Sequence, residues 1–160
     1  MKIEIRKATT ADATTLADLN DEFNGLRIPL VEIKKLLSTN RKEVVLVAHV
    51  ARRTVGYACI QYSRSFCYPH PWAEVTEMYV RCQQRRKGIG TALLEAAETE
   101  SRKRGVDQII VLTGEKNTRG QRLYESAGYR ATRKYVYKRT LANNRPNRTV
   151  APRRRGSTSG

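Results

Sequence analysis

Two histidines, two phenylalanines, one tryptophan and three cysteines are all that the 160 residues hold of these types, and acids number only 15 against 31 Lys and Arg. Cys59, Cys67 and Cys82 form no CxxC pair and leave an odd thiol, which argues against a cysteine zinc site and a disulfide framework; all three are expected to be reduced and structural. No apolar run approaches the roughly 18 residues of a membrane span, so no membrane partner is expected. The opening "MKIEIRKATTADATTLADLN" has no signal-peptide core, and cytoplasmic is the expected location. There is no GxxxxGK[ST] string. The stretch "GIGTAL" has Leu93 where a dinucleotide fingerprint needs its third glycine, and no internal repeat is visible.

What is present is cation. The net charge is +16, and although residues 141–160 hold five Arg and no acid, the remainder still carries +11. Such a field draws polyanions, and it fits a solvated basic surface as well. Hydrophobic content of 39% and a length of 160 residues allow one domain with a real core. Residues 1–140 are expected to form that domain. The Pro, Asn, Arg, Ser and Gly of 141–160 bury too little apolar surface to fold, so a basic disordered tail with weak, nonspecific polyanion binding is the expectation there.

Along the chain, "KIEIRKA" alternates as a strand, and Thr9 or Thr10 can cap a helix to about Phe23 with Ala13, Leu16, Ala17 and Leu19 on one side. Asn24-Gly25 ends it, and a second short helix starts near Pro29. "EVVLVAHV" and "TVGYACIQYS" flank the turn "ARR" as a hairpin. The irregular "RSFCYPHPW" leads into a strand "AEVTEMYV". A helix follows to about Arg104 with Gly105 as its cap, then a strand "DQIIVL", a helix from about Asn117 to Ala127 and a closing strand "YRATRKYVYKR". The expected class is α+β, a mixed but mostly antiparallel central sheet flanked by about four helices.

"RRKGIG" sets Arg85, Arg86 and Lys87 at the N-terminus of an amphipathic helix whose apolar face is Ile89, Leu93, Ala96 and Ala97. Exposed cations there oppose the helix dipole by roughly 0.3–1 kcal/mol each. A bound anion offsets this, because free N–H groups, glycines that permit close approach and flanking cations together make a phosphate site.

These residues resemble the GNAT superfamily of acetyl-CoA-dependent N-acetyltransferases, whose signature is Arg or Gln, two residues, Gly, any residue, then Gly or Ala: here Arg85, Gly88 and Gly90. Downstream, "NTRGQRLYESAGYR" is similar to the family's Asn-containing helix through Asn117, Leu123, Tyr124, Glu125, Gly128 and Tyr129, and "VGYACI" fits upstream, so the resemblance spans about residues 3–140. It implies a GNAT-like fold. It also implies that the backbone of Arg86, Lys87, Gly88, Ile89, Gly90 and Thr91, beside Arg85, holds the pyrophosphate of acetyl-CoA, that Met78, Tyr79 and Val80 pair with the pantetheine arm, that Asn117 contacts the cofactor arm and that Tyr124 stands near its sulfur. Gly120 departs from the family's common Ala.

Acetyl transfer to an amine of pKa about 10.4 requires a base. Glu77, with Glu74 second, matches positions that serve as the base in branches of the family. A regular strand would put them on opposite faces, and a bulge in that strand, usual in the family, would change this. Tyr124 is the candidate donor to the departing thiolate, and a backbone N–H near Tyr79 the candidate oxyanion site. Attack is then direct, with Cys82 not a nucleophile, and no metal is required.

Asp18, Asp21 and Glu22, with Glu74 and Glu77, suggest an acidic acceptor pocket suited to a small polycation such as an aminoglycoside, with His70 in the preceding loop as a further candidate. A protein N-terminus or lysine is the alternative acceptor. A basic nucleic-acid-associated module is the alternative from another class, although no stacked-aromatic or helix-turn-helix pattern supports it. Homodimers are common in the family.

Overall fold

The computed structural model describes residues 1–132 and 136–139. Five strands, β1 (Ile3–Lys7), β2 (Glu43–Val50), β3 (Arg53–Ser63), β4 (Trp72–Val80) and β5 (Gln108–Val111), form one sheet in the order β1-β2-β3-β4-β5. The first three pairings are antiparallel and β4–β5 is parallel. Four helices, α1 (Ala13–Asn24), α2 (Leu30–Thr39), α3 (Ile89–Arg102) and α4 (Thr118–Ser126), cover its faces.

Strand alternation divides the apolar side chains between two cores. On one face Val44, Leu46, Ala58, Ile60 and Val75 pack against Ile89, Leu93, Leu94 and Ala97 of α3. On the other, Val47, Tyr57 and Tyr79 pack against Leu16 and Leu19 of α1, with Ile33 and Leu37 of α2 alongside. Helix α1 buries Ala13, Leu16, Ala17 and Leu19, as its spacing predicts, and Gly25 ends it at φ 72°. The α3 face takes in Leu94 as well as the residues read from the sequence.

The β2–β3 turn is tighter than "ARR" suggests: Ala51 and Arg52 turn alone, at φ 48° and 63°, the backbone of a two-residue hairpin. The closing strand does not form in its described part. Residues 129–132 and 136–139 lie outside any strand; Tyr129 packs on the α3-side core, while Val136 and Tyr137 are 72% and 92% exposed. Residues 133–135, and the tail from residue 140 onward, lie outside the described residues. The cysteines are free, but only Cys59 is partly buried; Cys67 and Cys82 are exposed and do not build the core. Among the described residues no helix is long and apolar enough to cross a membrane.

The entry to α1 is fixed by one carboxylate. Asp12 receives a two-pronged bond from Arg6 at 2.7 and 2.8 Å, and the Thr9 N–H donates to it at 2.7 Å, closing a turn of 3-10 helix before α1. The guanidinium, helped by Thr9 and opposed by burial, holds Asp12 at about 2, below the usual carboxylate range. A depressed carboxylate stabilises the fold fully above its unfolded value near 3.9 and loses that contribution as pH falls through about 2. Asp12→Asn is expected to lower unfolding stability by about 1–2 kcal/mol at neutral pH. Urea denaturation of both proteins should show the gap closing between about pH 4 and pH 2.

Candidate active site

Sheet geometry builds one side of the site. Along β4–β3, Glu77 faces Cys59 but Val75 faces Ile60, so Thr76 is an extra residue, a bulge. Glu74 and Glu77 therefore oppose Gln61 and Cys59, which are two residues apart on β3, and the two carboxylates share a sheet face despite their odd separation. Tyr79, opposite Tyr57, continues the same face into the α1 core. Met78 and Val80 turn to the α3 face.

The backbone after the bulge is open on one edge. β5 pairs with β4 only through Trp72–Val75, so among the described residues Thr76–Val80 has no strand on that side. The Arg81 N–H donates to the Val55 carbonyl at 2.9 Å, and ladder alternation from there points the polar groups of Tyr79 toward β3 and those of Met78 and Val80 toward the open edge. The N–H expected near Tyr79 thus belongs to Met78 or Val80, not to Tyr79 itself. Arg85 closes the end of this edge, its Nε donating to the Val80 carbonyl at 2.8 Å while its guanidinium lies 5.5 Å from the centre of the Tyr79 ring.

The loop into α3 is bent into the left-handed region twice, at Arg86 (φ 63°) and at Gly88 (φ 79°). Arg86 is a non-glycine there, and such a backbone costs on the order of 1–2 kcal/mol unless its surroundings hold it. What this geometry achieves is a row of donors. None of the N–H groups from Arg86 to Thr91 finds a hydrogen-bond acceptor among the described residues, and Gly88 offers its carbonyl to Ala92 at 3.0 Å to begin the helix. A side chain at Gly90 would meet Leu123 of α4 at 2.9 Å, so its hydrogen allows the two helices to close around the groove.

That groove, about 930 Å³, runs between the open edge of β4, the start of α3 and the face of α4. Met78, Tyr79 and Val80 line it from the strand, Arg85 and Arg86 from the loop, Gly88, Ile89, Gly90 and Thr91 from α3, and Asn117 and Tyr124 from α4. Lys87 does not; its ammonium donates to Gln84 at 3.0 Å instead. The lining contains no Asp or Glu. It does contain Lys116, Arg119 and Arg122, which the sequence reading assigned no role; the run "EKNTRGQR" carried the signal, hidden in a chain rich in cations.

Asn117 caps α4. Its Oδ1 accepts from the Gly120 N–H at 3.1 Å and its amide donates to Thr113 at 3.0 Å. A Cβ at Gly120 would press on the Asn117 amide, whose Cγ is 2.9 Å from that point, so alanine there would have to displace the capping side chain. Tyr124 is half-buried beside Tyr129, at 6.1 Å between rings, and burial pushes its phenol pKa up, so the proton stays on at neutral pH.

The acids of α1 are less free than the sequence suggests. Glu22 forms an ion pair with Arg81 at 2.9 Å and accepts from the Tyr79 hydroxyl at 3.4 Å, and Asp18 pairs with Arg27 at 2.8 Å. Asp21, Glu74 and Glu77 have no cation within 4.0 Å among the described residues. Asp21 and His70 are exposed and do not line the groove. Among the described residues, no group of three or more His, Cys, Asp and Glu could hold a metal ion.

Residues 13–129 match the acetyltransferase (GNAT) family. The chain belongs to that family. Its members use acetyl-CoA, and the groove fits that molecule: an acid-free cationic lining, a row of free N–H donors and an open strand edge suit phosphates followed by an amide-bearing arm. Among GNAT relatives, the aminoglycoside N(6')-acetyltransferase type 1 of Stenotrophomonas maltophilia is 26% identical over 83% of this chain and 90% of its own. The uncharacterized protein YxbD of Bacillus subtilis is 46% identical over 50 residues, a match spanning only 31% of each chain. AAC(6')-Iy, solved with the bisubstrate analogue CoA-S-monomethyl-acetylneamine, superposes at TM-score 0.78 over 89% of this chain and 100% of its own, at 16% identity, a likeness of fold.

Asn117→Ala removes the α4 cap, worth about 1 kcal/mol. Hydrogen exchange is expected to accelerate across residues 118–126 while the amides of β2 and β3 keep their protection. Equal protection of α4 in both proteins would show that the cap does not hold this wall of the groove.

Proposed function

We propose that this acetyltransferase acts on a primary amine of a small polycation, the class to which the aminoglycosides belong. The observation that carries the reading is the bulge at Thr76, which sets Glu74 and Glu77 on one sheet face, next to the open edge and without a cation of their own. Asp21, at the end of α1, adds a third unpaired acid. Glu74 and Glu77, on one sheet face of a protein of charge +16, present carboxylates that attract a multiply charged amine. The relative from Stenotrophomonas maltophilia, with its near full-length match, supports the same acceptor class.

Acetyl-CoA, when bound, supplies the acetyl group as a thioester. The chain's residues supply the proton handling. An alkylamine arrives as an ammonium, since its pKa is about 10.4. Glu77, at the start of the open edge, takes that proton directly or through a water, and Glu74 holds a neighbouring ammonium of the acceptor. The Met78 or Val80 N–H is the donor toward developing negative charge. Tyr124 Oη, kept protonated by burial, is the proton source for the leaving group. Residues 1–140 form the catalytic domain in this reading, and the basic segment 141–160 is an appendage with weak polyanion affinity.

Thiol release from acetyl-CoA, followed with a panel of aminoglycosides and of peptides with free N-termini, tests the acceptor. Aminoglycosides should show kcat/KM at least about 100-fold above the peptides, the worth of one or two charge-assisted hydrogen bonds. Peptides as the better substrates would overturn the assignment. Glu77→Gln should lower kcat by about 10²–10⁴, whereas Glu74→Gln should mainly raise KM for the amine. Because burial raises the Tyr124 pKa, the loss in Tyr124→Phe should be constant between about pH 6 and pH 9.

A further inference from the structure

The α4 side of the groove carries three cations that the reading above leaves without a task. Arg119 and Arg122 are three residues apart on α4 and so are neighbours on its surface, Lys116 lies just ahead of its cap, and all three line the groove. Among the described residues, no carboxylate lies within 4.0 Å of any of them and none of their side chains donates a hydrogen bond. Their placement is electrostatically unfavourable in isolation. Arg119 sits in the first turn of α4, at the positive end of the dipole, with Arg122 one turn on and Lys116 just ahead of the cap. With Arg85 and Arg86 they give five cations facing a groove lined by no acid.

The backbone donors from Arg86 to Thr91 suffice for a pyrophosphate, whose two groups each carry about one charge. Coenzyme A bears another phosphate, the monoester on its ribose 3′ oxygen, which approaches two negative charges at neutral pH because its second pKa is near 6. A dianion is the group that three cations lining one side of the groove match, and guanidinium forks match its oxygens in geometry. We propose that Lys116, Arg119 and Arg122 bind this 3′-phosphate and make the enzyme selective for 3′-phosphorylated acyl carriers over those that lack the group. The proposal rests on the groove being the coenzyme A site.

Calorimetric titration of coenzyme A and of 3′-dephospho-coenzyme A into the full chain and into Arg119→Gln/Arg122→Gln tests it, with circular dichroism as the folding control. The wild type should bind coenzyme A roughly tenfold or more tightly than the dephospho form at low salt, and the preference should shrink at about pH 5 as the monoester loses a charge. The double variant should lose most of the preference while keeping its affinity for the dephospho form within about threefold. Lys116→Gln, ahead of the helix, repeats the test if the double variant does not fold. A wild type that binds both forms equally, or a folded variant that keeps the preference, would overturn the assignment. A wild type that binds neither form would overturn the coenzyme reading of the groove, and the assignment with it.

Discussion

Strand β4 keeps β5 as a partner only to Val75, and the edge of Thr76–Val80 that this leaves open is the constraint from which the site follows. A buried strand edge demands hydrogen-bond partners, and this one meets a groove rather than another strand. The bulge at Thr76 acts at the same point and rotates the strand by one residue. Without it, Glu77 would face α3, Met78 would face α1, and the two carboxylates would be separated by the thickness of the sheet. One inserted residue thereby sets both the open edge and the facing of the two acids.

The second physical theme is charge held in place by backbone. Around the strained turn at Arg86 and the left-handed Gly88, the N–H groups from Arg86 to Thr91 have no acceptor among the described residues, and the cations around them are uncompensated by any acid in the groove lining. On the far face of β4 the pattern is the reverse. There Glu22 joins Arg81 and the Tyr79 hydroxyl, while the Tyr79 ring stacks with Phe23 at 5.3 Å and meets the Arg85 guanidinium at 5.5 Å. Tyr79 thus connects the end of α1 to the loop before α3 through direct contacts.

Much of this was legible in the sequence because the signals are local. The alternation of β1 to β4, the 3.6-residue spacing of α1 and α3, Gly25 as a cap and the Gly88–Gly90 turn are each set by neighbouring residues, and the structure follows them. The features that escaped depend on distant partners. Glu22 pairs with a residue 59 positions away, which no local pattern announces. The position of the bulge depends on the register between β3 and β4. Lys116, Arg119 and Arg122 could not be separated from a general excess of cations until the fold brought them to the groove. "YRATRKYVYKR" misled because alternation alone does not make a strand: its described part finds no partner and leaves Val136 and Tyr137 in solvent. Gly120, read as a weakness in a helix, leaves room for the Asn117 side chain that caps it.

The central claim is that acetyl-CoA lies along the turn that starts α3. Calorimetric titration of acetyl-CoA into the wild type and into Gly88→Glu/Gly90→Glu, with circular dichroism to confirm that the variant folds, tests this most directly. The account predicts micromolar binding to the wild type, typical of an enzyme substrate, and none to the folded variant, because two carboxylates would stand where the anion belongs. Binding that survives in the folded variant, or a well-folded wild type that does not bind at all, would contradict it.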